Sequence, residues 1–287
     1  MELFARQHRL QWGERPLIMG IVNVTPDSFF DGGRYDTPDA AIAHAIRLVQ
    51  EGADLLDIGA ESTRPGAHPI EETEEMRRLV PVVRAVAGAV SVPISIDTMK
   101  VAVAEAALDA GASIINDVTG LRGDADMVSI AAKTGAAVVL MHMQGTPQTM
   151  QQTPSYRDVV GEVSEFFAER IRFATSHGVA RRQIVLDPGI GFGKLLENNL
   201  DLLAHLQAFA KYGCPLMIGV SRKGFLGQLT GRPVDDRLWG TAAAVALAVQ
   251  QRAAIIRVHD VAAMLDVATV SAAITGRTAQ SLWEQHA

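Results

Sequence analysis

The chain has 287 residues, of which 48% are hydrophobic and 20% charged, and its formal net charge at pH 7 is −6. This composition excludes an intrinsically disordered protein, and an acidic balance without a basic run excludes a broad nucleic-acid-binding surface. The apolar stretches are far shorter than the roughly 20 residues of a membrane span, and we expect no secretory signal. Cys214 is the only cysteine, so no internal disulfide can form, and the expected compartment is the reducing cytoplasm.

Short apolar runs, separated by helical patterns, recur along the chain. The first helical pattern places Ile42, Ile46, Val49 and Ala53 on one face, and Gly52 provides a stop. Helical connections between consecutive strands make those strands parallel. The apolar runs, which we predict to be strands buried on both faces, cover residues 17–22, 55–58, 92–96, 113–115, 136–141, 183–186, 215–220 and 254–258.

Eight such units predict a closed TIM (β/α)8 barrel. A doubly wound open sheet has the same alternation, and periodicity alone does not exclude it. The helical pattern at 101–110 also ends at a glycine, Gly111. Residues 1–16 are predicted to be an N-terminal extension and residues 17–287 a single barrel domain, because no linker rich in Pro or Ser interrupts them.

Polar residues follow the apolar runs at their C-terminal ends, which share one face of a parallel α/β fold, the face where active sites lie. One aspartate in such a place is more often a helix cap or turn residue, but eight polar strand ends together favour a site. Asp57 and Asp117 are the two for which we expect a structural role. The full set is Asn23, Asp57, Asp97, Asn116, Asp117, His142, Asp187, Ser221, Arg222, Lys223, Arg257 and His259.

These residue types suit two kinds of ligand group. Asp97, Asn116 and Asp187 offer acceptors for the amino and ring N–H groups of a pyrimidinone, and Lys223 offers a donor to its carbonyl or ring nitrogen. A flat heterocycle is therefore expected. Phosphate oxygens need donors, which arginine supplies as parallel pairs of hydrogen bonds. The donors suited to a diphosphate are Asn23, Arg64, Arg257 and His259.

The glycine-rich stretch at 189–194 superficially suggests a phosphate loop. The Walker A motif requires four residues between its glycines, and Leu195 stands where Ser or Thr is needed, so ATP binding is not predicted. We expect a tight loop that brings Phe192 over the ligand, although ordinary packing of Phe192 explains the sequence equally well. His142 is predicted to be structural or to line the cavity, and Cys214 to lie at the opposite face.

Several motifs resemble those of the dihydropteroate synthase family, and the resemblance covers about residues 19–261. It implies a barrel enzyme that joins 6-hydroxymethyl-7,8-dihydropterin diphosphate to 4-aminobenzoate, giving 7,8-dihydropteroate and diphosphate. The motifs are MGIVNVTPDSF at 19–29, DGG at 31–33, DIGAESTRPG at 57–66, SIDT at 95–98, IND at 115–117, LMHMQG at 140–145, LDPGIGFGK at 186–194, SRK at 221–223 and RVHD at 257–260.

The resemblance also implies roles for individual residues. The pterin would be held by Asp97, Asn116, Asp187 and Lys223, in a slot lined by Met141, Phe192 and Gly219. The diphosphate would be bound by Asn23, Arg257 and His259, and Asn23 would also contact Mg2+, the implied cofactor. The residues implied in catalysis are Asp31, Asp97, Asp187 and Lys223.

Two loops complete the implied site. Ser62, Thr63 and Arg64 belong to a loop near the aminobenzoate, whose carboxylate would accept a hydrogen bond from Ser221. The loop after the first barrel strand would contribute Asp27, Phe29 and Asp31. Because Lys223 and Arg257 would serve ligands at the open rim, we expect their removal to spare the fold. The implied partners are the two small substrates and a second copy of the chain, as a homodimer.

Two alternative functions use the same barrel. A methyltetrahydrofolate methyltransferase shares the acidic and amide pterin contacts but should lack the loops at 25–33 and 62–66. A paralogue that binds pterin without turnover should have lost residues such as Asn23, Arg64 or Lys223, all of which are present. The sequence favours the synthase over both.

Overall fold

The computed structural model describes residues 2–24 and 38–276, and Asp27, Phe29 and Asp31 lie outside this part of the chain. Within the described residues, no helix combines the length and apolarity that crossing a membrane requires.

Eight parallel strands form the centre of the molecule. In space the strands follow the order 184–187, 137–141, 114–117, 94–97, 55–59, 17–23, 255–258 and 217–219, and a parallel bridge between Leu186 and Leu216 joins the two ends of the sheet. The backbone N–H of Leu186 donates to the Pro215 carbonyl oxygen at 2.9 Å. The sheet therefore closes, which confirms the barrel and excludes the open doubly wound sheet. The strands are β3 (Leu17–Asn23), β4 (Leu55–Gly59), β5 (Ile94–Asp97), β6 (Ile114–Asp117), β7 (Ala137–Met141), β8 (Ile184–Asp187), β9 (Met217–Gly219) and β10 (Ile255–Val258).

Helices surround the barrel and pack on its outer face through a continuous apolar cluster. Two of them end at the predicted glycines: Gly52 has φ +101° and Gly111 has φ +118°, a region that L side chains rarely adopt. The helices are α1 (Pro38–Gln50), α2 (Glu72–Ala89), α3 (Val101–Asp109), α4 (Met127–Thr134), α5 (Val159–Ser176), α6 (Leu196–Ala204), α7 (Gly224–Thr230), α8 (Leu238–Gln250) and α9 (Val261–Ile274).

The N-terminal residues form an antiparallel hairpin that the sequence patterns did not predict. Its strands are β1 (Glu2–Ala5) and β2 (His8–Gln11). Leu3 and Ala5, on one face of β1, are completely buried among the inward-facing side chains of the barrel strands, including Met19 and Leu55. The hairpin therefore closes the N-terminal end of the barrel with apolar packing, and the polar residues lie at the other end.

Candidate functional site

The base of the site is a network of four side chains from four strands. Arg257 on β10 donates from Nε to Asp57 Oδ2 at 2.6 Å and from Nη2 to Asp97 Oδ2 at 3.2 Å. Asn116 on β6 donates to the same oxygen of Asp57 at 3.1 Å. Asp57 lies two residues before the end of β4 and is completely buried. One guanidinium thus bridges two carboxylates beneath the opening of the barrel.

The carboxylates of this network are not fully satisfied by the protein. Oδ1 of Asp57 and Oδ1 of Asp97 are buried without a hydrogen-bond partner among the described residues. Burial and the negative charge of Asp57 raise the pKa of Asp97 to about 7, against the opposing effect of Arg257. A ligand with N–H donors would therefore find acceptor capacity that the fold leaves unused.

A second acidic group lies across the barrel at the end of β8. Asp187 accepts a hydrogen bond from the backbone N–H of Gly189 at 2.7 Å, while burial raises its pKa. Lys223 follows β9, and burial, with the charge of Arg257, lowers its pKa to about 8. Its ammonium lies 4.0 Å from the centre of the Phe192 ring. Phe192 therefore belongs to the site by a cation–π contact with Lys223.

An apolar wall completes the pocket. Met141 and Met143, at the end of β7, pack with Met150 from the following loop. Flexible methionine side chains adapt well to the face of a flat ring. The whole wall consists of Val118, Met141, Met143 and Met150, with the partly buried Met99 and Phe192 packed against it.

The rim carries several positive charges and a neutral histidine. The Ser221 hydroxyl oxygen accepts from the His259 backbone N–H at 3.2 Å and lies 2.9 Å from His259 Nδ1. Burial lowers the pKa of His259 to about 3, and the charges of Arg257, Arg222 and Arg64 act in the same direction. His259 is therefore neutral at pH 7 and can offer one ring N–H to an anion.

The loop between β4 and α2 carries Ser62, Thr63 and Arg64. The side chain of Arg64 is exposed, whereas Ser62 and Thr63 are half-buried. Farther along the loop, the Gly66 backbone N–H donates to the Pro147 carbonyl oxygen at 3.1 Å. The loop thus rests on the β7–α5 connection beside the pocket.

Lys194, the lysine of the glycine-rich stretch, points into the protein. It is 3% exposed, and its ammonium lies 2.9 Å from the Phe192 carbonyl oxygen, 3.2 Å from the His142 carbonyl oxygen and 3.0 Å from His142 Nδ1. Burial, with the charges of Lys194 and Arg122, lowers the pKa of His142 to about 2, so the ring accepts from Lys194. This lysine holds two loops together, which agrees with the prediction that the stretch is not a Walker A motif and that His142 is structural.

Comparison with known proteins identifies relatives of the whole chain. The model of the family described as pterin binding enzyme matches residues 19–259. The dihydropteroate synthase of Escherichia coli K12 is 46% identical over 261 residues, which are 91% of this chain and 92% of that protein. The chain belongs to the dihydropteroate synthase family of pterin-binding enzymes.

Solved structures of family members have the same fold. The Yersinia pestis dihydropteroate synthase, in a sulfonamide drug complex, superposes with a TM-score of 0.91 at 45% identity, covering 96% of this chain and 99% of that one. The Xanthomonas albilineans enzyme with 4-aminobenzoic acid gives 0.88 at 46% identity, covering 96% and 98%. In complex with 7,8-dihydropteroate it gives 0.86 at 44% identity, with the same coverage.

Most of the predicted family residues that the structure describes lie around one opening. Gly219 on β9 is paired with Arg257 on β10, and Asn23 on β3 is paired with Gly59 on β4. Gly219 and Asn23 are each the last residue of their strand and therefore lie at the rim. Asp117 faces away and accepts hydrogen bonds from the backbone N–H groups of Thr119 and Leu121, as expected for a turn residue. The roles implied for these residues in substrate binding stay predictions.

Two expectations change with the structure. Arg257 is not a free rim residue, because it is the partner of a completely buried carboxylate, Asp57. Asp57 is structural, as predicted, but its role is to hold Arg257 at the base of the site. The Ser221 hydroxyl is engaged with His259, so the predicted hydrogen bond to the aminobenzoate carboxylate would require it to change partner.

The sequence patterns did not predict that Lys194 connects two loops of the site or that Asp57 holds Arg257 in place. Their partners are distant in the chain: 200 residues separate Asp57 from Arg257, and 52 separate His142 from Lys194. The sequence did contain one signal for the place of Asp57. Side chains alternate between the two faces of a strand, so Asp57 lies on the same face of β4 as Gly59, the last residue of the strand.

We expect Arg257→Met and Lys223→Met to differ in stability. Loss of Arg257 leaves Asp57 buried without its cation and should lower the free energy of unfolding by about 3–5 kcal/mol. The side chain of Lys223 makes no hydrogen bond or ion pair with residues 2–24 and 38–276 and contacts the ring of Phe192, so its replacement should change that free energy by no more than about 1 kcal/mol. Urea unfolding of the two variants measures the difference, and equal losses would contradict this assignment.

Proposed function

We propose that this chain catalyses the dihydropteroate synthase reaction, in which 6-hydroxymethyl-7,8-dihydropterin diphosphate and 4-aminobenzoate give 7,8-dihydropteroate and diphosphate. The observation that carries the proposal is the placement of buried acceptors, Asp97, Asn116 and Asp187, beside the cations Lys223 and Arg257 in one opening. The acceptors match the N–H edge of a pterin, Lys223 matches an acceptor of its ring, and Arg257 matches an anionic leaving group.

The pterin ring would enter edge first. Its amino and ring N–H groups would donate to Asp97, Asp187 and the amide oxygen of Asn116, and Lys223 would donate to a ring acceptor. Met141 and Phe192 would cover the faces of the ring. Such a site selects a ring by its hydrogen-bond donors and acceptors. Binding a ring that lacks them would leave the buried carboxylates without partners and would therefore be much weaker.

The diphosphate would lie at the rim. Arg257 and the neutral His259 supply donors there, and the exposed Arg64 adds positive charge. When the C–O bond of the pterin methylene breaks, its electron pair stays on diphosphate, so donors at this place act on charge as it develops. The carboxylates of Asp97 and Asp187 favour the cation-like methylene electrostatically. The aryl amine, neutral at pH 7, then forms the C–N bond and loses a proton.

Mg2+ fits the rim as a cation that the diphosphate brings with it. The described residues contain no group of three or more His, Cys, Asp or Glu side chains that could hold a metal alone. Mg2+ is commonly bound through few protein ligands together with phosphate oxygens and water. Asn23, at the end of β3, would supply an amide oxygen to it. When bound, the ion would neutralise charge on the leaving diphosphate.

The purified chain should convert pterin diphosphate and 4-aminobenzoate to dihydropteroate and diphosphate in the presence of Mg2+. Product would be measured by chromatography with 4-aminobenzoate present and absent. Lys223→Met should lose most of this activity while unfolding like the wild type, since each charged hydrogen bond contributes about 1.5–3 kcal/mol. A folded wild-type protein that binds pterin without forming product would instead be a non-catalytic paralogue.

Pterin binding should weaken as the pH falls from 8 to 6. The pKa of Asp97 is raised to about 7, so lowering the pH through this value protonates the acceptor that the ring N–H groups need. The affinity for 6-hydroxymethylpterin, measured by calorimetry, should fall about tenfold at pH 6. Asp97→Asn should remove this dependence. Asp109→Asn, at the exposed end of α3, is the control, and a pH dependence unchanged in Asp97→Asn would refute the assignment.

We also propose that the chain forms a homodimer through α8 and α9, and works in the cytoplasm. The outer faces of these neighbouring helices expose Trp239, Leu247, Val270 and Ile274, at 80%, 56%, 59% and 79%. The only charged residue in the two helices is Asp266. Asp266 is exposed one helical turn before Val270, so the face carries a single charge. An apolar face of this kind can pair with its own copy about a twofold axis.

The dimer should dissociate when a charge is placed in this face. Leu247→Asp should sediment as a monomer at micromolar concentration, because the carboxylate would be buried without a partner. Leu229→Asp, at an exposed leucine of α7, serves as the matched control and should remain dimeric. A monomeric wild type, or a dimeric Leu247→Asp, would exclude this interface.

A further inference from the structure

Lys100, immediately before α3, connects two carboxylates that lie outside the pocket. Its ammonium is 2.5 Å from Glu61 Oε2 and 2.5 Å from Glu75 Oε2. The Glu75 side chain, from α2, is 1% exposed, and that of Glu61, from the β4–α2 loop, is 6% exposed. Three elements of the barrel therefore meet at one cation.

Lys100 supplies the only positive charge in this cluster of three described side chains. Two nearly buried carboxylates share one ammonium, and Glu75 Oε1 has no hydrogen-bond partner among the described residues. Burial alone would lower the pKa of Lys100, but the hydrogen bonds with Glu61 and Glu75 outweigh it and raise the pKa. Lys100 therefore stays charged, and it is the cation that compensates the two nearly buried carboxylates.

Glu61 joins the two ends of the loop that carries Ser62, Thr63 and Arg64. It directly precedes Ser62, and its Oε2 also accepts a hydrogen bond from the backbone N–H of Ile70 at 3.0 Å. The same oxygen thus fixes the beginning and the end of residues 61–70. Lys100 holds that oxygen next to α2 and α3, so the ammonium fixes both ends of the loop, while Gly66 anchors its middle to Pro147.

We propose that Lys100 is a positioning residue for the second substrate: through Glu61 it sets the place of Ser62 and Thr63, and thereby the affinity for the aromatic amine. The proposal rests on the proposed function and on the place near the aminobenzoate that the family resemblance implies for Ser62 and Thr63. It predicts a larger effect on 4-aminobenzoate than on the pterin diphosphate, since the acceptors assigned to the pterin, Asp97, Asn116 and Asp187, make no hydrogen bond with this cluster.

Initial rates of Lys100→Met and Glu61→Gln test the proposal. In both variants the KM for 4-aminobenzoate should rise about tenfold or more. The KM for the pterin diphosphate should rise less, because Arg64 is the one residue of this loop that is assigned to that substrate. Lys100→Arg keeps the charge and should restore part of the loss. When Lys100→Met and Glu61→Gln are combined, their effects on the KM for 4-aminobenzoate should not add up, because each substitution removes the same contact.

A matched control separates positioning from general stability. Arg15 and Asp54 form a partly buried ion pair at 2.6 Å near the N-terminal end of the barrel. Arg15→Met should lower the unfolding free energy without changing either KM. If Lys100→Met does not fold, Glu61→Gln, which retains the contact between Lys100 and Glu75, still decides the question.

Hydrogen exchange provides a measurement independent of activity. The backbone amides of Gly66 and Ile70 should exchange faster in Lys100→Met and Glu61→Gln than in the wild type or Arg15→Met. Unchanged exchange, an unchanged KM for 4-aminobenzoate, or an equal rise in KM in Arg15→Met would overturn the proposal while leaving the proposed function intact. A folded wild type that forms no dihydropteroate would overturn both.

Discussion

The contact between Arg257 and Asp57 is the interaction on which the open end of the barrel depends. A completely buried carboxylate is tolerated because a guanidinium meets it at 2.6 Å, and the same guanidinium reaches Asp97. The network carries two potential negative charges and one positive charge. Burial, together with the charge of Asp57, raises the pKa of Asp97 to about 7. Asp57, which holds Arg257 in place, therefore also affects the protonation of Asp97, the acceptor proposed for the pterin.

This arrangement requires a barrel whose two ends differ in polarity. At the N-terminal end, the hairpin inserts Leu3 and Ala5 among inward-facing apolar side chains. At the other end, Asp57, Asp97 and Arg257 occupy inward positions that the hairpin cannot reach. The apolar packing stabilises the closed sheet, and the closed sheet brings β4 and β10 to the distance at which the ion pair forms.

The sequence predicted the parts of the fold that local patterns encode. Each of the eight apolar runs overlaps a barrel strand, and Gly52 and Gly111 end their helices as expected. The hairpin was missed because its strands alternate in burial over only four residues each, too few to show a pattern, whereas the barrel strands of that length belong to continuous apolar runs. The family motifs led to most residues of the opening, yet no motif indicated that Arg257 is paired with Asp57 or that Lys100 is shared by two glutamates. Those contacts depend on strand order and closure, which the sequence does not display.

The cations near the opening differ in how far the protein itself satisfies them. Lys194 has three acceptors within its own loops, so no donor remains for a ligand. Arg257 donates hydrogen bonds to two carboxylates, which fix the plane of its guanidinium. One guanidinium nitrogen makes no hydrogen bond to the described residues. Among the described residues, the Lys223 ammonium contacts the face of the Phe192 ring and no hydrogen-bond acceptor. Burial and the charge of Arg257 lower the pKa of Lys223 to about 8. Of the three, Lys223 therefore has the most donor capacity left for an acceptor on a ligand, which is why the proposed function gives it a contact with the pterin ring.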